Sequence, residues 1–155
     1  YWSRGNGWVF AALTRVLDII PRNAPHRKEY VRTYKRMAKA LKVVQREDGY
    51  WNVSLHDPGN FGGKETTGTA LFCYGMAWGI NNGILNREKY LPVVIKAWKA
   101  ISEESLHENG FLGYVQGTGK EPKDGQPVTY DHVPDFEDYG LGCFLLAGSE
   151  VYKLK

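Results

Sequence analysis

The segment Arg4-Gly-Asn-Gly-Trp8 combines residue types that could bind an acidic sugar. An arginine forms paired hydrogen bonds with a planar carboxylate, and an indole ring can stack on the apolar face of a sugar. Gly5 and Gly7 carry no side chain and would let the backbone approach a ligand. A spacing of four residues places Arg4 and Trp8 one helical turn apart. We therefore expect both to bind the ligand. The alternative is that Arg4 pairs with a neighbouring carboxylate and Trp8 is a core residue.

Four other residues are weaker candidates for the site. Glu65 opens a helix rich in Gly and Thr, where an acid complements the helix dipole, and we favour that structural role. His56, beside Asp57, and His132 lie in predicted loops, where a lone histidine is more often solvated than catalytic. Trp51 could stack on sugar or cover an outer helix, and we favour the second. No third ligand has suitable spacing to the two histidines, so we expect no metal and no cofactor.

Apolar periodicity predicts the helices that must position these residues. The strand signals at 49–53 and 111–116 are too short to build a sheet, so the predicted class is all-α. The first helix has Val9, Leu13, Val16, Leu17 and Ile20 on its apolar face and stops at Pro21, and four more cover about 27–47, 65–81, 87–101 and 136–154.

A repeat organises these helices. The pattern Glu-x-x-Gly-x-small-x-Phe occurs at 65–72 and 137–144, and the Arg4 segment opens a looser first copy. Each unit has a long loop, a buried helix of small residues and an amphipathic outer helix. Inner and outer helices of this kind pair as hairpins around a ring, and the five predicted helices form about two and a half such hairpins. We expect loops 48–64 and 107–135 to lie at the same end of the ring as Arg4. An incomplete ring exposes inner-helix surface, so we expect self-association through its open end.

Composition excludes several classes of function. The formal net charge is only +3, and Lys and Arg are spread along the chain rather than collected in a patch with aromatic residues, so we expect no nucleic-acid partner. No apolar stretch reaches the roughly 18 residues that span a bilayer, so we expect no membrane partner. Cys73 and Cys143 lie in apolar runs and give no disulfide framework, so they do not indicate a compartment.

Five motifs together resemble the C-terminal half of glycoside hydrolase family 105, with family 88 closely related. They are YWSRGNGWVFAAL, DGYW, ETTGTALFCYGMAWGI, GTG and DYGLGCFLLAGSEVYKL, and they cover essentially the whole chain. The resemblance implies an (α/α)6 toroid of which residues 1–155 form the C-terminal part, with the N-terminal part absent. It also implies a location in the bacterial cytoplasm or periplasm.

This resemblance also implies a reaction and its residues. These unsaturated rhamnogalacturonyl and glucuronyl hydrolases act on lyase products that end in a 4,5-unsaturated uronic acid. An aspartate protonates the enol ether at C4, water adds at C5, and the hemiketal opens to release the next sugar. The Arg and Trp of the RGNGW-type motif line the substrate pocket, which implies that role for Arg4 and Trp8. The catalytic aspartate belongs to the absent half, so we expect no catalytic residue here and no activity of this chain alone.

Two other classes of function stay open. A sugar epimerase or isomerase on the same toroid would use paired histidines as acid and base, which requires His56 and His132 to converge on one ligand atom. A non-catalytic carbohydrate-binding remnant would bind the sugar without turnover.

Overall fold

The computed structural model describes residues 1–133 and 138–154. A π-helical turn at Ile101–Ser105 continues the fourth helix. The strand signal predicted at 49–53 contains Trp51–Asn52, which pairs with Lys64–Glu65 in a short antiparallel ribbon. The all-α prediction is confirmed. Within the described ranges, no helix is both long enough and apolar enough to cross a bilayer. The elements are α1 (Ser3–Ile19), α2 (Arg27–Val43), β1 (Trp51–Asn52), β2 (Lys64–Glu65), α3 (Thr66–Asn81), α4 (Arg87–Ala100) and α5 (Asp138–Val151).

The five helices form two layers. Helix α3 lies between α1 and α5 and makes the most extensive contacts with both, while α2 packs against α1 and α4 against α3. Every residue of α3 from Thr66 to Ile80 is buried, as expected of a helix with neighbours on all sides. The inner row α1–α3–α5 with outer α2 and α4 is the predicted set of two and a half hairpins, part of an (α/α) toroid.

Glycines allow the inner helices to approach closely. A Cβ added to Gly7 would lie 3.0 Å from Leu71 Cδ1 and 3.3 Å from the Cα of Gly68 on α3. A Cβ on Gly5 would lie 3.0 Å from the indole ring of Trp2. The expectation that these two glycines make room for a ligand is therefore wrong, since one accommodates a helix and the other an aromatic ring.

The two ends of the inner row expose apolar side chains. On α1, Val9, Val16 and Ile19 are exposed, and on α5 so are Leu141 and Leu145. The apolar face predicted for α1 is thus partly wrong, because its buried face is built mainly from Phe10, Ala11, Thr14 and Leu17. An inner helix of a ring is apolar on two sides, and α3 covers one of them here.

The long loops meet at one end of the helices, as predicted. The backbone N–H of Ser3 donates to Val53 (2.8 Å), and that of Thr66 donates to Tyr114 (2.9 Å), so both loops contact the N-terminal ends of inner helices. The end of the second predicted loop at 134–135, the predicted helix start at Phe136 and the repeat residue Glu137 lie outside the described residues.

Candidate functional site

Arg4 lies in the first turn of α1 and is only 4% exposed. Its Nη1 donates to the carbonyl oxygens of Gln116 and Gly117 and to the hydroxyl of Tyr139, each at 2.6 Å. The guanidinium carbon also lies 4.6 Å from the ring centroid of Trp2. Arg4 therefore ties the start of α1 to the second long loop and to α5.

The carboxylate partner considered for Arg4 does not occur in the part of the chain that the structure describes, where no carboxylate forms an ion pair with it. Its charge is stabilised by carbonyl dipoles and by the rings of Trp2 and Tyr139. Such neutral partners hold the guanidinium in place without an ion pair, and the carboxylates of Glu65 and Asp124 interact with its charge through space.

Arg4 and Trp8 face one cavity of about 270 Å³. Trp8 is 46% exposed, so its indole presents a face to solvent. The structure thus brings together the two residues that the sequence singled out, with aromatic walls around a fixed cation. We call this space the Arg4 cavity, and its lining residues are Trp2, Arg4, Trp8, Thr118, Gly119 and Tyr139.

Sequence reasoning missed Trp2 and Tyr139 as lining residues. Both stand in the motifs that carry the resemblance, Trp2 two residues before Arg4 and Tyr139 in the repeat copy at 137–144. Their proximity was not visible in the sequence, because Tyr139 meets Arg4 across a separation of 135 residues.

Gln116 fixes the loop that carries Thr118. It is fully buried, accepts a hydrogen bond at Oε1 from Trp2 Nε1 (2.8 Å), and donates from Nε2 to the carbonyls of Pro122 (3.0 Å) and Asp124 (2.5 Å). These bonds hold the wall of the Arg4 cavity against the start of α1.

Glu65 is the N-cap of α3 and lies outside the Arg4 cavity lining. Its carboxylate accepts from the backbone N–H groups of Thr67 (3.0 Å) and Gly68 (2.5 Å) and from the Thr67 hydroxyl. Complete burial raises the pKa of Glu65 above its ordinary value of 4.5, although these hydrogen bonds and the charge of Arg4 oppose the shift. The structural role favoured from the sequence agrees with this geometry.

Trp51 belongs to strand β1 of the ribbon, and its side chain is fully buried. Its Nε1 donates to the carbonyl of Leu41 at 2.8 Å, and its ring packs edge-on against Phe72 with centroids 5.2 Å apart. The indole has no free face for a sugar, which agrees with the structural role that we favoured.

The two histidines do not share a site in the described structure. The His56 ring packs edge-on against Tyr1 (4.8 Å), His132 is half-buried in the second loop, and neither lines the Arg4 cavity. No hydrogen bond or ring contact joins them within residues 1–133 and 138–154. In the same ranges no group of three or more His, Cys, Asp or Glu residues is arranged to hold a metal.

A row of helical hairpins with an arginine and three aromatic rings around a loop-end cavity defines part of an (α/α)-toroid domain of the carbohydrate-active type. The sequence model of Glycosyl Hydrolase Family 88 matches residues 1–155. The chain belongs to this family.

Three known proteins show the extent of the similarity. The chain is 42% identical over 155 residues to the "Unsaturated 3S-rhamnoglycuronyl hydrolase" of Formosa agariphila, covering all of this chain and 39% of that protein. A glycosyl hydrolase family 88 structure from Bacteroides vulgatus is 44% identical with a TM-score of 0.91, covering 99% of this chain and 44% of that one. A possible member of the GH105 family from Salmonella enterica is 27% identical with a TM-score of 0.80, covering 97% and 39%.

These figures confirm the predicted resemblance to families 105 and 88. The chain spans about two fifths of the length of these three proteins. Its placement in their C-terminal part stays a prediction.

Proposed function

We propose that the protein to which this chain belongs hydrolyses oligosaccharides that end in a 4,5-unsaturated uronic acid, and that the Arg4 cavity binds the unsaturated sugar. Membership of family 88 and the name of the Formosa agariphila relative support the substrate class. The observation that carries the assignment of the site is the convergence of Arg4 and Trp8 on one cavity with Trp2 and Tyr139.

The cavity suits the chemistry of this sugar. A 4,5-unsaturated uronate carries a negative carboxylate on a ring flattened by its double bond, so a fixed cation and an aromatic wall match its two distinctive features. The hydrogen bonds from Arg4 to Gln116 and Gly117 hold the guanidinium in position before a ligand arrives, which lowers the ordering cost of binding. A volume of about 270 Å³ is near the lower limit for ligand pockets and suits one sugar unit.

The expected reaction needs a proton donor and a water molecule. The proton goes to C4, the water oxygen bonds to C5 and loses its proton, and the hemiketal opens to release the next sugar as an alcohol. Among the described residues, no aspartate or glutamate lines the Arg4 cavity. The resemblance implies that the catalytic aspartate belongs to the absent half, so we assign the proton donor to a part of the protein outside this chain and expect residues 1–155 alone to be inactive.

Trp8→Ala in the intact protein is the most informative test. Substituting Arg4 would also release the loop that its hydrogen bonds hold, whereas Trp8 is half-exposed and its loss should leave the fold intact. We expect KM for an unsaturated disaccharide to rise about fivefold to tenfold, the equivalent of about 1 to 1.4 kcal/mol of lost stacking. Turnover is followed by the loss of absorbance of the conjugated C4=C5 double bond.

Tyr30→Ala is the matched control, because Tyr30 is an aromatic residue of the outer helix α2, is 41% exposed and is not part of the cavity lining. Its KM should equal that of the unmodified protein. An unchanged KM in Trp8→Ala would contradict the site assignment. A rise in absorbance on a saturated polyuronate would show elimination by a lyase and contradict the proposed reaction.

The same assay separates the alternatives. An epimerase or isomerase would convert a saturated sugar without consuming the double bond, and the described structure does not support its histidine pair, since His56 contacts Tyr1 and not His132. A non-catalytic remnant would bind the unsaturated disaccharide in the intact protein with no loss of absorbance.

A further inference from the structure

Helix α2 carries a large local excess of positive charge. It contains seven Lys and Arg residues and one acid, Glu29, a formal charge of +6 in a chain whose net charge is +3. The other residues therefore sum to −3, so the charge distribution is asymmetric, and the expectation that Lys and Arg are spread along the chain is wrong for α2. The packing of α2 does not require this, because its buried face consists of Tyr34, Ala38 and Leu41, and any polar residue would suit the opposite face.

Five of these cations form one line along the exposed face of α2. Their spacing of 4, 3, 4 and 3 residues keeps them on one side of the helix over about 21 Å, with a mean separation of about 5 Å along the axis. We call this line the α2 basic stripe. Its members are Lys28, Arg32, Lys35, Lys39 and Lys42, all exposed.

No acidic side chain among the described residues pairs with the cations of the stripe. Glu29 pairs with His26 at 3.1 Å, and in residues 1–133 and 138–154 no member of the stripe forms an ion pair. Neighbouring cations three and four residues apart repel and destabilise a helix. Four lysines elsewhere in the described residues are paired with acids: Lys64 with Glu104, Lys99 with Glu103, Lys123 with Glu121 and Lys153 with Glu150.

A second cavity, of about 630 Å³, adjoins the start of the stripe. Lys28 lines it together with Arg22 and Arg27, and Asp18 on its wall accepts a hydrogen bond from Trp78 Nε1 at 3.0 Å. The cavity lies where α1 and α3 end, whereas the Arg4 cavity lies where α1 begins. An anionic chain could therefore extend from this cavity along the stripe without entering the Arg4 cavity.

We propose that the α2 basic stripe and its adjoining cavity bind an anionic polysaccharide, as a non-catalytic site that holds the protein on an acidic polymer. The glycan assignment rests on the proposed function, whose substrates come from uronate polymers. The separation of the cations is close to the length of one sugar unit in an extended polymer, so a uronate chain lying along α2 would bring carboxylates within reach of the stripe. The ring that the structure places beside the stripe, that of Tyr90 with its centroid 5.6 Å from Lys42 Nζ, is half-buried, which does not favour the stacking of nucleic-acid bases.

The test compares two quadruple variants of the intact protein on immobilised polygalacturonate, a saturated polyuronate. The first neutralises the stripe with Lys28→Gln, Arg32→Gln, Lys35→Gln and Lys39→Gln, and glutamine preserves helix propensity. The control removes the same charge from exposed lysines elsewhere that lie outside the loop lining the Arg4 cavity, with Lys89→Gln, Lys96→Gln, Lys99→Gln and Lys153→Gln. Circular dichroism establishes that both variants are folded.

We expect affinity for the polymer to fall at least tenfold in the stripe variant and less than twofold in the control, and binding by the unmodified protein to weaken as salt rises. Hydrolysis of an unsaturated disaccharide should be unchanged in both, since a disaccharide in the Arg4 cavity does not reach α2. Equal losses in the two variants, or no loss in the stripe variant, would overturn the proposal. So would tighter stripe-dependent binding to a DNA duplex or to anionic vesicles at equal charge concentration.

Failure of this proposal can be told apart from failure of the proposed function. The polymer has no C4=C5 double bond at its internal sugars, so its binding does not depend on turnover. Trp8→Ala should retain polymer binding and lose affinity for the disaccharide, whereas the stripe variant should show the reverse.

Discussion

Substituting Gly68 with alanine tests the close approach of α1 and α3 on which the Arg4 cavity depends. A Cβ at this position would overlap Ser3 Oγ and would lie 3.0 Å from the carbonyl carbon of Ser3 and 2.9 Å from Glu65 Oε2. The backbone of Ser3 cannot rotate away as a flexible side chain could. The added methyl group must therefore push α1 from α3 or displace the Glu65 cap.

Three effects set the magnitude. Overpacking a tight helix contact costs about 1 to 3 kcal/mol of the free energy of unfolding. Displacing Glu65 from the N–H groups of Thr67 and Gly68 weakens an N-cap worth about 1 kcal/mol. The higher helix propensity of alanine offsets about 1 kcal/mol. We expect Gly68→Ala to lower the free energy of unfolding by about 1 to 3 kcal/mol.

The assay is urea unfolding of the 155-residue chain, followed by far-ultraviolet circular dichroism at one low micromolar concentration. Gly142→Ala on α5 is the matched control, because a Cβ there has no heavy atom within 4 Å. The control should gain up to about 1 kcal/mol from helix propensity alone. If Gly68→Ala is as stable as the unmodified chain, the two helices do not approach each other as described, and the argument fails.

Two further predictions concern pH and association. Burial raises the pKa of Glu65, so the folded state holds a proton more tightly than the unfolded state, and the free energy of unfolding should fall as pH rises from about 4.5 to the folded pKa. Glu65→Gln should lose this slope in urea titrations over that range, and an unchanged slope would assign it to another group. Leu145→Glu, which places a charge on the exposed face of α5, should convert self-associated chain to monomer in sedimentation velocity, whereas Thr33→Glu on α2 should not. A monomeric unmodified chain at high concentration would show that the open faces do not drive association.

The helices were predictable because their signals are local. The segment 70–80 is apolar nearly all round and leaves no charged face for solvent, which predicts a helix buried on most sides. The start of α4 has a local cause as well, since the side chain of Asn86 caps it by accepting from the backbone N–H of Lys89 at 2.9 Å. The repeat then fixed how many hairpins the chain can form.

The exposed face of α1 was not predictable from periodicity. Val9 and Val16 follow the helical repeat as Leu17 does, yet both are exposed and Leu17 is buried. An apolar pattern shows that a face suits burial, and only the neighbours that are present determine whether it is covered. The role of Gly7 was hidden for the same reason, because the space that it leaves is filled by α3 and not by a ligand.

The residue types of the candidate site were determined by the sequence, whereas its geometry was decided by the tertiary structure. The spacing of Arg4 and Trp8 within one helical turn is local and predicts that they can face one ligand. The partners that hold Arg4, namely the Gln116 carbonyl and the Tyr139 hydroxyl, lie 112 and 135 residues away along the chain. Contacts at that separation arise only when the inner helices pack and bring their loops to one end. Tertiary packing therefore forms the Arg4 cavity around the short Arg4–Trp8 motif and fixes the position of the Arg4 guanidinium.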